Sequence, residues 1–314
     1  MWLDMLNSKI SAVILLATAM ACSAASEESA ENAKTTDQDA FNQYWYAGKA
    51  EITRYALQQA RYGEMREGDA VLIFVTEPFL TDKQVKHEFG DSRNATTVLK
   101  LNFVRKFYTG IYPYSVMSSI FTPVAWRELP TLKVTTSSQE WCGHTFLQMN
   151  RRGDKLKVQL RSYFQREGDR DFELAGALLE DEIWTRIRLA PESLPTGEIQ
   201  LVPGTQFQRF KHVPLKVEAA TATLTTIQEP ELSSEALQAY TIDYQNLKRT
   251  LTIKFEQAFP HRILAWEETY ESGFGPSAKM LTTKAVKTHS MMLDYWRRNK
   301  LSDSHLREEL GLIY

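Results

Sequence analysis

Cysteine is nearly missing: two in 314 residues, Cys22 and Cys142. That excludes a disulfide-framed domain. A charge excess is also missing, with 37 Lys+Arg against 39 Asp+Glu and a formal net charge of −2. A general nucleic-acid binder, which carries a basic surplus, is therefore excluded as a partner class. No apolar run approaches the roughly 20 residues that span a bilayer. There is no G-x-S-x-G, no Gly-rich phosphate loop, no H-E-x-x-H and no EF-hand loop, so no cofactor and no metal is implied. The histidines other than His144 are His87, His212, His261, His289 and His305, and none stands at H-x-H or H-x-x-x-H spacing. They read as surface or strand residues. Carboxylate clusters such as Glu180-Asp181-Glu182 and Glu267-Glu268 read as solvated faces. No internal repeat is visible. What is present is an ordinary globular balance, 43% hydrophobic and 24% charged.

The N-terminus reads as an address. Residues 10–21, ISAVILLATAMA, have the length of a signal-peptide apolar core, with Lys9 just before it. Asp4 interrupts the leading segment, and a start at Met5 would be cleaner. The run ends at Ala19-Met20-Ala21-Cys22, which resembles the lipobox of bacterial lipoproteins, although Ala19 stands where that pattern prefers Leu. The resemblance implies cleavage before Cys22 and acylation of its thiol and its new amine. Several acyl chains anchor a protein stably, whereas one does so only reversibly. By likeness to sorted lipoproteins, Ser23 after the cysteine points to the outer membrane, and Glu27-Glu28 hints at surface export. The alternative is an ordinary leader cut at Ala19-Met20-Ala21. Residues 23–39 hold no large apolar side chain and read as a solvated tether through residue 40, with a reach of roughly 20–25 Å.

From Phe41 the pattern is β. Leu99–Phe103, Lys155–Leu160 and Thr250–Glu256 alternate apolar and polar residues, which puts one face on a core. Val71–Val75 is apolar on both parities and reads as a central strand. Arg66-Glu67-Gly68-Asp69, Arg152-Gly153-Asp154 and Glu167-Gly168-Asp169 read as hairpin turns. Eleven to thirteen long strands in sequence order predict an antiparallel meander curled into a barrel or half-barrel; a two-sheet sandwich is the alternative. One internal helix is expected over Leu178–Leu189, with Leu179, Ile183 and Ile187 on one stripe and Glu182–Arg186 paired. Pro191 stops it. A turn-rich connector then separates β halves of about 41–176 and 197–289 within one domain, 41–314. Ser290–Asn299 and Asp303–Leu310 read as short helices.

Glu140-Trp141-Cys142-Gly143-His144-Thr145 is the most specific-looking string. It is similar to half of a thioredoxin-type site, with Thr145 where the resolving cysteine would stand. Ordinary disulfide exchange is therefore not expected. Cys142 reads first as a small buried residue beside a turn at Gly143. The sharper alternative is a catalytic thiol helped by His144 and Glu140, with Cys142 and His144 on one strand face about 6–7 Å apart. Phe103, Phe107, Tyr108, Tyr112, Tyr114 and Phe121 crowd a short stretch, with Trp126 and Trp141 nearby. They read as core packing; alternatively Phe103, Phe107, Tyr112, Tyr114, Trp126 and Trp141 line an apolar or carbohydrate-stacking cavity inside a curved sheet.

Ala50–Glu77, Leu99–Phe103, Gly110–Ser115 and Glu140–His144 together resemble a family of uncharacterised bacterial envelope lipoproteins, over nearly the whole mature chain. Some members carry the label "septum formation inhibitor Maf". That label would imply a nucleotide pyrophosphatase with an S-x-R-R-like signature in an α/β fold, and this chain has neither. The long hairpins are also similar, more remotely, to the half-barrels of periplasmic lipid-carrier lipoproteins. The expectation is a lipid-anchored module of the cell envelope that binds an apolar or amphiphilic small molecule or scaffolds other envelope proteins.

Overall fold

The computed structural model describes residues 38–312. The leader, Cys22 and the tether up to residue 37 lie outside the described residues. Residues 38–45 form a helix (α1), so the last three residues assigned to the tether are helical. Within it the Tyr44 and Trp45 rings meet edge to face at 5.0 Å.

From Gly48 onward the chain builds a single antiparallel sheet. Its strands are β1 (Ala50–Arg61), β2 (Glu64–Leu80), β3 (Val85–Lys86), β4 (Ala95–Thr109), β5 (Tyr112–Pro123), β6 (Lys133–Glu140), β7 (Gly143–Arg152), β8 (Lys155–Ser162), β9 (Arg170–Ala175), β10 (Leu178–Leu179), β11 (Gly197–Val202), β12 (Glu218–Ile227), β13 (Leu237–Tyr244), β14 (Arg249–Glu256), β15 (Ile263–Ser272) and β16 (Lys279–Leu293). The hydrogen-bonded order runs from β10 through β16, then from β1 through β9, with β3 beside β2. The one parallel contact is β10 with β11. The meander is longer than the eleven to thirteen strands expected, because two strands are two-residue bridges and others are shorter than a sequence pattern resolves.

No hydrogen bonds join β9 to β10, the two ends of the order, yet only Gly176 and Ala177 separate them in the chain. Three residue steps span at most about 11 Å. Fifteen flat strands at about 4.8 Å spacing would put the same edges nearly 70 Å apart. The sheet must therefore curl almost into a cylinder. Contacts across it agree: Arg105 Nη1 on β4 donates to Glu268 Oε2 on β15 at 3.3 Å, and the Phe103 and Trp266 rings lie 5.3 Å apart. At the seam, the Gly176 N–H donates to the Asp154 carbonyl, and Arg151 Nη2 to the Ala177 carbonyl at 2.8 Å.

The hairpins follow turn chemistry, with one correction. Arg61 pairs with Glu64, so Tyr62-Gly63 is a two-residue turn, and both residues have positive φ, as a type I′ turn requires. The expected turn at Arg66–Asp69 is instead continuous β2. Gly68 sits there because a Cβ would fall 2.1 Å from the Lys106 carbonyl oxygen on β4. Close strand approach, not a bend, selects that glycine.

Two helices fill the curl. These are α2 (Glu180–Leu189) and α3 (Thr205–Lys211). Trp184 of α2 packs on Phe103 of β4 at 4.9 Å and on Trp266 of β15 at 5.3 Å. Thr185 meets Thr122 of β5, Arg188 meets Glu51 of β1, and Glu180 meets Arg249 of β14. Strands from β14 through β5, the middle of the sheet order, thus face α2 from one side of the sheet. The stripe Leu179, Ile183, Ile187 is buried as expected, and Arg186 stands 3.6 Å from Glu182. The acidic residues are a correction: Glu180, Asp181 and Glu182 are all buried, not solvated. They are tolerated because the inner wall supplies arginines, hydroxyls and backbone donors.

The outer face of β1 and β2 is closed by the C-terminal segment. Leu310 packs on Ala50, Ile52, Val71 and Val75, with Met291, Leu293 and Tyr295 beside it. This explains why Val71–Val75 is apolar on both parities. Residues 290–293, expected as helix, extend β16 instead. Short 3₁₀ turns at Tyr295–Arg297 and Leu301–Asp303 lead into α4 (His305–Glu309).

Candidate functional site

Strand directions sort the turns. Those after β1, β4, β6, β8 and β15, together with α3, gather at one end of the curled sheet, and the chain enters β1 at the other. A cavity of about 90 Å³ opens at the first end. Leu147 of β7 and Leu160 of β8 form its apolar wall with Val213, Pro214 and Leu215. Arg209 of α3 and, from the β8–β9 connection and the start of β9, Arg166, Glu167 and Arg170 supply its charged side, with His212.

Local sequence explains why these side chains converge. Thr205 opens α3 with its N–H donated to Asp181 Oδ2 at 3.1 Å, so a side-chain carboxyl from α2 caps it. His212 ends it in the left-handed region at φ 54°, and Pro214 follows shortly after. Arg209, one turn before the end, is buried. Its Nη1 donates to His212 Nε2 at 2.9 Å and its Nη2 to Glu140 Oε1 at 3.3 Å. Its guanidinium lies 4.6 Å from the Phe164 ring centre. His212 Nδ1 in turn donates to Glu167 Oε1 at 2.5 Å, and Ser162 Oγ donates to Glu167 Oε2. Burial pulls the Arg209 pKa down from the usual guanidinium value. Burial pushes Glu167 up, but the hydrogen bonds from His212 and Ser162 outweigh it and hold that carboxyl below its ordinary range.

The residues singled out from sequence are distributed as follows. Glu140 is at the end of β6 and joins the cavity cluster through Arg209. Cys142 is a correction: it is exposed, because Trp141-Cys142 is the two-residue turn between β6 and β7. It is therefore not on a strand face with His144, which is exposed on β7 opposite Gln139. The hydrogen bond to the Glu140 carboxylate pushes the Cys142 thiol up, against thiolate formation. Phe103 is walled in by Trp184 and Trp266 and borders a polar cavity of about 20 Å³. Phe107 stacks on Tyr114 at 4.8 Å, and both rings approach Phe210 of α3. The Tyr114 hydroxyl accepts from Arg61 Nη2 at 2.9 Å. Tyr112 stacks at 6.3 Å on Trp141, which is 69% exposed. Trp126 lies on the β5–β6 connection with Arg186 over its ring at 4.1 Å.

The 20 Å³ cavity is bounded by Arg105, Glu180, Asp181, Gln206, Arg249 and Glu268. Arg249 Nη2 reaches Glu180 Oε1 and Glu268 Oε1, both at 2.7 Å. Burial, with Glu180 alongside, pushes Asp181 up to about 7. The space admits about one water.

Arg209, His212 and Glu167 were not visible as a site. Glu167 lay in a turn signal, His212 had no spaced partner, and α3 is too short for periodicity. The spacing of Phe207 and Phe210, followed by Lys211, was the one trace of it. Comparison with protein-family models, with curated proteins and with solved structures finds no match to this chain.

Proposed function

We propose that the chain is a lipid-anchored module of the bacterial cell envelope, tethered through Cys22 in the outer membrane, that binds a small amphiphilic molecule at the open end of its curled sheet. The observation that carries the binding reading is the 90 Å³ cavity, with leucines on one wall and charges on the other, Arg209 buried, Glu167 and His212 half-buried, Arg166 and Arg170 exposed. Such a two-sided pocket suits a ligand with an apolar body and a polar head. The helices α2 and α3 occupy the curl itself, which leaves the ligand the rim and not the centre. The leader pattern ending at Ala21-Cys22 supports the anchor. The likeness to envelope lipoproteins noted in the sequence supports the location. Native mass spectrometry of gently extracted protein tests both parts. Expected are a chain beginning at Cys22 with three acyl chains and a co-purifying small molecule lost on denaturation. A chain that keeps residue 1, or one with no acyl mass, refutes the anchor. Failure to bind the neutral dye N-phenyl-1-naphthylamine refutes the pocket.

A scaffolding role is a second reading, favoured by the same end of the sheet. Tyr108, Ile111, Trp141, Tyr163 and Phe274 are all exposed on or beside its turns. Clustered exposed apolar groups mark contact surfaces. The exposed, protonation-favoured Cys142 gives the thiol-enzyme alternative less support than either.

A further inference from the structure

The two ends of the curled sheet differ in kind. Strand directions put the connections after β1, β4, β6, β8, β11, β13 and β15 at one end, and those after β2, β5, β7, β9, β12 and β14 at the other. At the first end Tyr108, Ile111, Trp141, Tyr163 and Phe274 are 57% to 77% exposed. The connections of the far end expose only Val85 and Phe89 among large hydrophobic residues, both between β2 and β4. Further rings join the first group into an arc. Phe274 lies 6.2 Å from the Tyr62 ring, the Tyr62 and Tyr114 hydroxyls meet at 2.7 Å, and Tyr112 lies 5.9 Å from Tyr114 and 6.3 Å from Trp141. Tyr163 rests against Gly143, where an added Cβ would meet its ring at 2.6 Å. The arc crosses five turns that are consecutive in the sheet, from β15–β16 to β8–β9. Charge divides the same way. The connections at the aromatic end hold five Lys+Arg against two Asp+Glu, a net charge of +3, and those at the far end five against eight, a net charge of −3. Arg166 and Lys248 of the aromatic end are exposed.

We propose that this end docks on a bilayer surface containing anionic lipid, with the aromatic arc in the headgroup zone and the cations on the lipid phosphates. Tyr and Trp, with an apolar body and a polar tip, settle at that boundary. Turn tips at one end of a near-cylinder lie close to a single plane, which a flat surface meets together. The cationic end is drawn to anionic headgroups and the acidic end is turned away from them. The cavity of about 90 Å³ opens at the docking end, so its mouth faces lipid in the docked state. An anchor at Cys22 is compatible with this. The sixteen residue steps from Cys22 to Gln38 extend to at most about 55 Å, more than the roughly 40 Å length of β1. The inference rests on the envelope reading above for a bilayer within reach, and it assigns to lipid the patch that scaffolding would give to protein.

The test uses the full chain carrying Cys22→Ala, which removes the acyl anchor and leaves Cys142, in the β6–β7 turn, as the single cysteine. Cys142 is labelled with the polarity-sensitive dye NBD, and vesicles are of phosphatidylcholine alone or with an equal part of phosphatidylglycerol. The far-end control, Cys22→Ala/Cys142→Ser/Phe89→Cys, carries the dye at position 89, where the native side chain is 86% exposed. The dye at 142 is expected to brighten on the mixed vesicles and to be quenched by doxyl-labelled lipid, while the dye at 89 stays in water. Two surface cations are expected to give at least about a tenfold preference for the mixed vesicles. Raising salt from about 0.1 M to about 1 M shortens the Debye length from about 10 Å to about 3 Å and is expected to weaken that preference. Ile111→Ser/Phe274→Ser removes two exposed side chains that do not line the cavity, and is expected to weaken vesicle binding at least about tenfold with an unchanged melting midpoint. No change at 142, equal quenching at both positions, equal binding to the two vesicle types, or full binding by Ile111→Ser/Phe274→Ser overturns the proposal. So does a signal at 142 that rises with protein concentration without vesicles, which assigns the arc to a second copy. None of these outcomes alters the acyl mass or the N-phenyl-1-naphthylamine binding that test the envelope reading, so the two fail separately.

Discussion

Removing Arg249 tests whether the inner wall truly holds the α2 acids in place. The guanidinium is 2% exposed and bridges Glu180 and Glu268, which are themselves 3% and 1% exposed. With Arg249→Met, Glu180 keeps only the Tyr244 hydroxyl at 2.7 Å, and Glu268 keeps only Arg105 at 3.3 Å. Breaking a buried pair by deleting one partner costs about 3–5 kcal/mol, since a charge is stranded out of water. For a chain of this size each kcal/mol lowers the melting midpoint by about 2–4 °C, so a drop of about 6–20 °C is expected. The pH dependence separates this cause from lost packing. In the native protein burial pushes the Glu268 carboxyl up, but Arg249 and Arg105 more than offset it and hold it low. Its stabilisation is therefore present above the unfolded carboxyl pKa of about 4.3 and lost as pH falls. In the variant burial works on Glu268 against Arg105 alone, so that carboxyl moves up and its stability is present at low pH and lost as pH rises. The two stability curves should converge between pH 7.5 and pH 5 in urea unfolding. A variant within about 1 kcal/mol of the parent, or a deficit equal at both pH values, would refute the reasoning.

Three further outcomes follow from geometry. Asp181, pushed up to about 7 by burial, is protonated in the folded chain at pH values where the unfolded one is ionised. Its contribution is fully present below about pH 4 and lost as pH rises toward 7, and Asp181→Asn should flatten the urea midpoint over that window while keeping an acceptor for Thr205. If the parent's midpoint shows no decline that the variant removes, the assignment fails. Cys142 should be alkylated by iodoacetamide in the folded protein, and Glu140→Gln should move the rate–pH profile to lower pH, because the carboxylate raises the thiol. An unshifted profile would contradict the hydrogen bond. Gly68→Ala forces a methyl onto the Lys106 carbonyl and the Phe107 Cβ, 2.7 Å away, and should cost about 3 kcal/mol in chemical unfolding, near the upper end for overpacking; a neutral result would place the strands farther apart.

The fold was legible because alternation along long strands has a strict period of two. Leu99–Phe103 and Thr250–Glu256 state their faces residue by residue, and the α2 stripe states its own at i, i+4. What was not legible depends on what covers a residue rather than on its neighbours in the chain. Glu180–Glu182 look solvated until the inner wall brings Arg249 and Arg151 to them. Gly68 reads as a turn until β4 approaches it. Cys142 reads as buried until a two-residue turn places it at a tip. The cavity cluster joins Glu140, Glu167, Arg209 and His212 from three separate segments, and nothing in local spacing foretells that meeting.

Ala50 of β1 faces Leu293 of β16 across the middle of the sheet. The strands most distant in the chain are thus neighbours in the centre, while β9 and β10, adjacent in the chain, are the two outer edges. A polypeptide delivered amino end first can pair β1 with β2 at once, but the other side of β1 stays bare until the last strand arrives. Arrival of the final strand is therefore the event that welds two partly built ribbons into one body. A truncation that stops short of β16 would leave two exposed pairing edges inviting other chains, rather than a protein merely missing its tail.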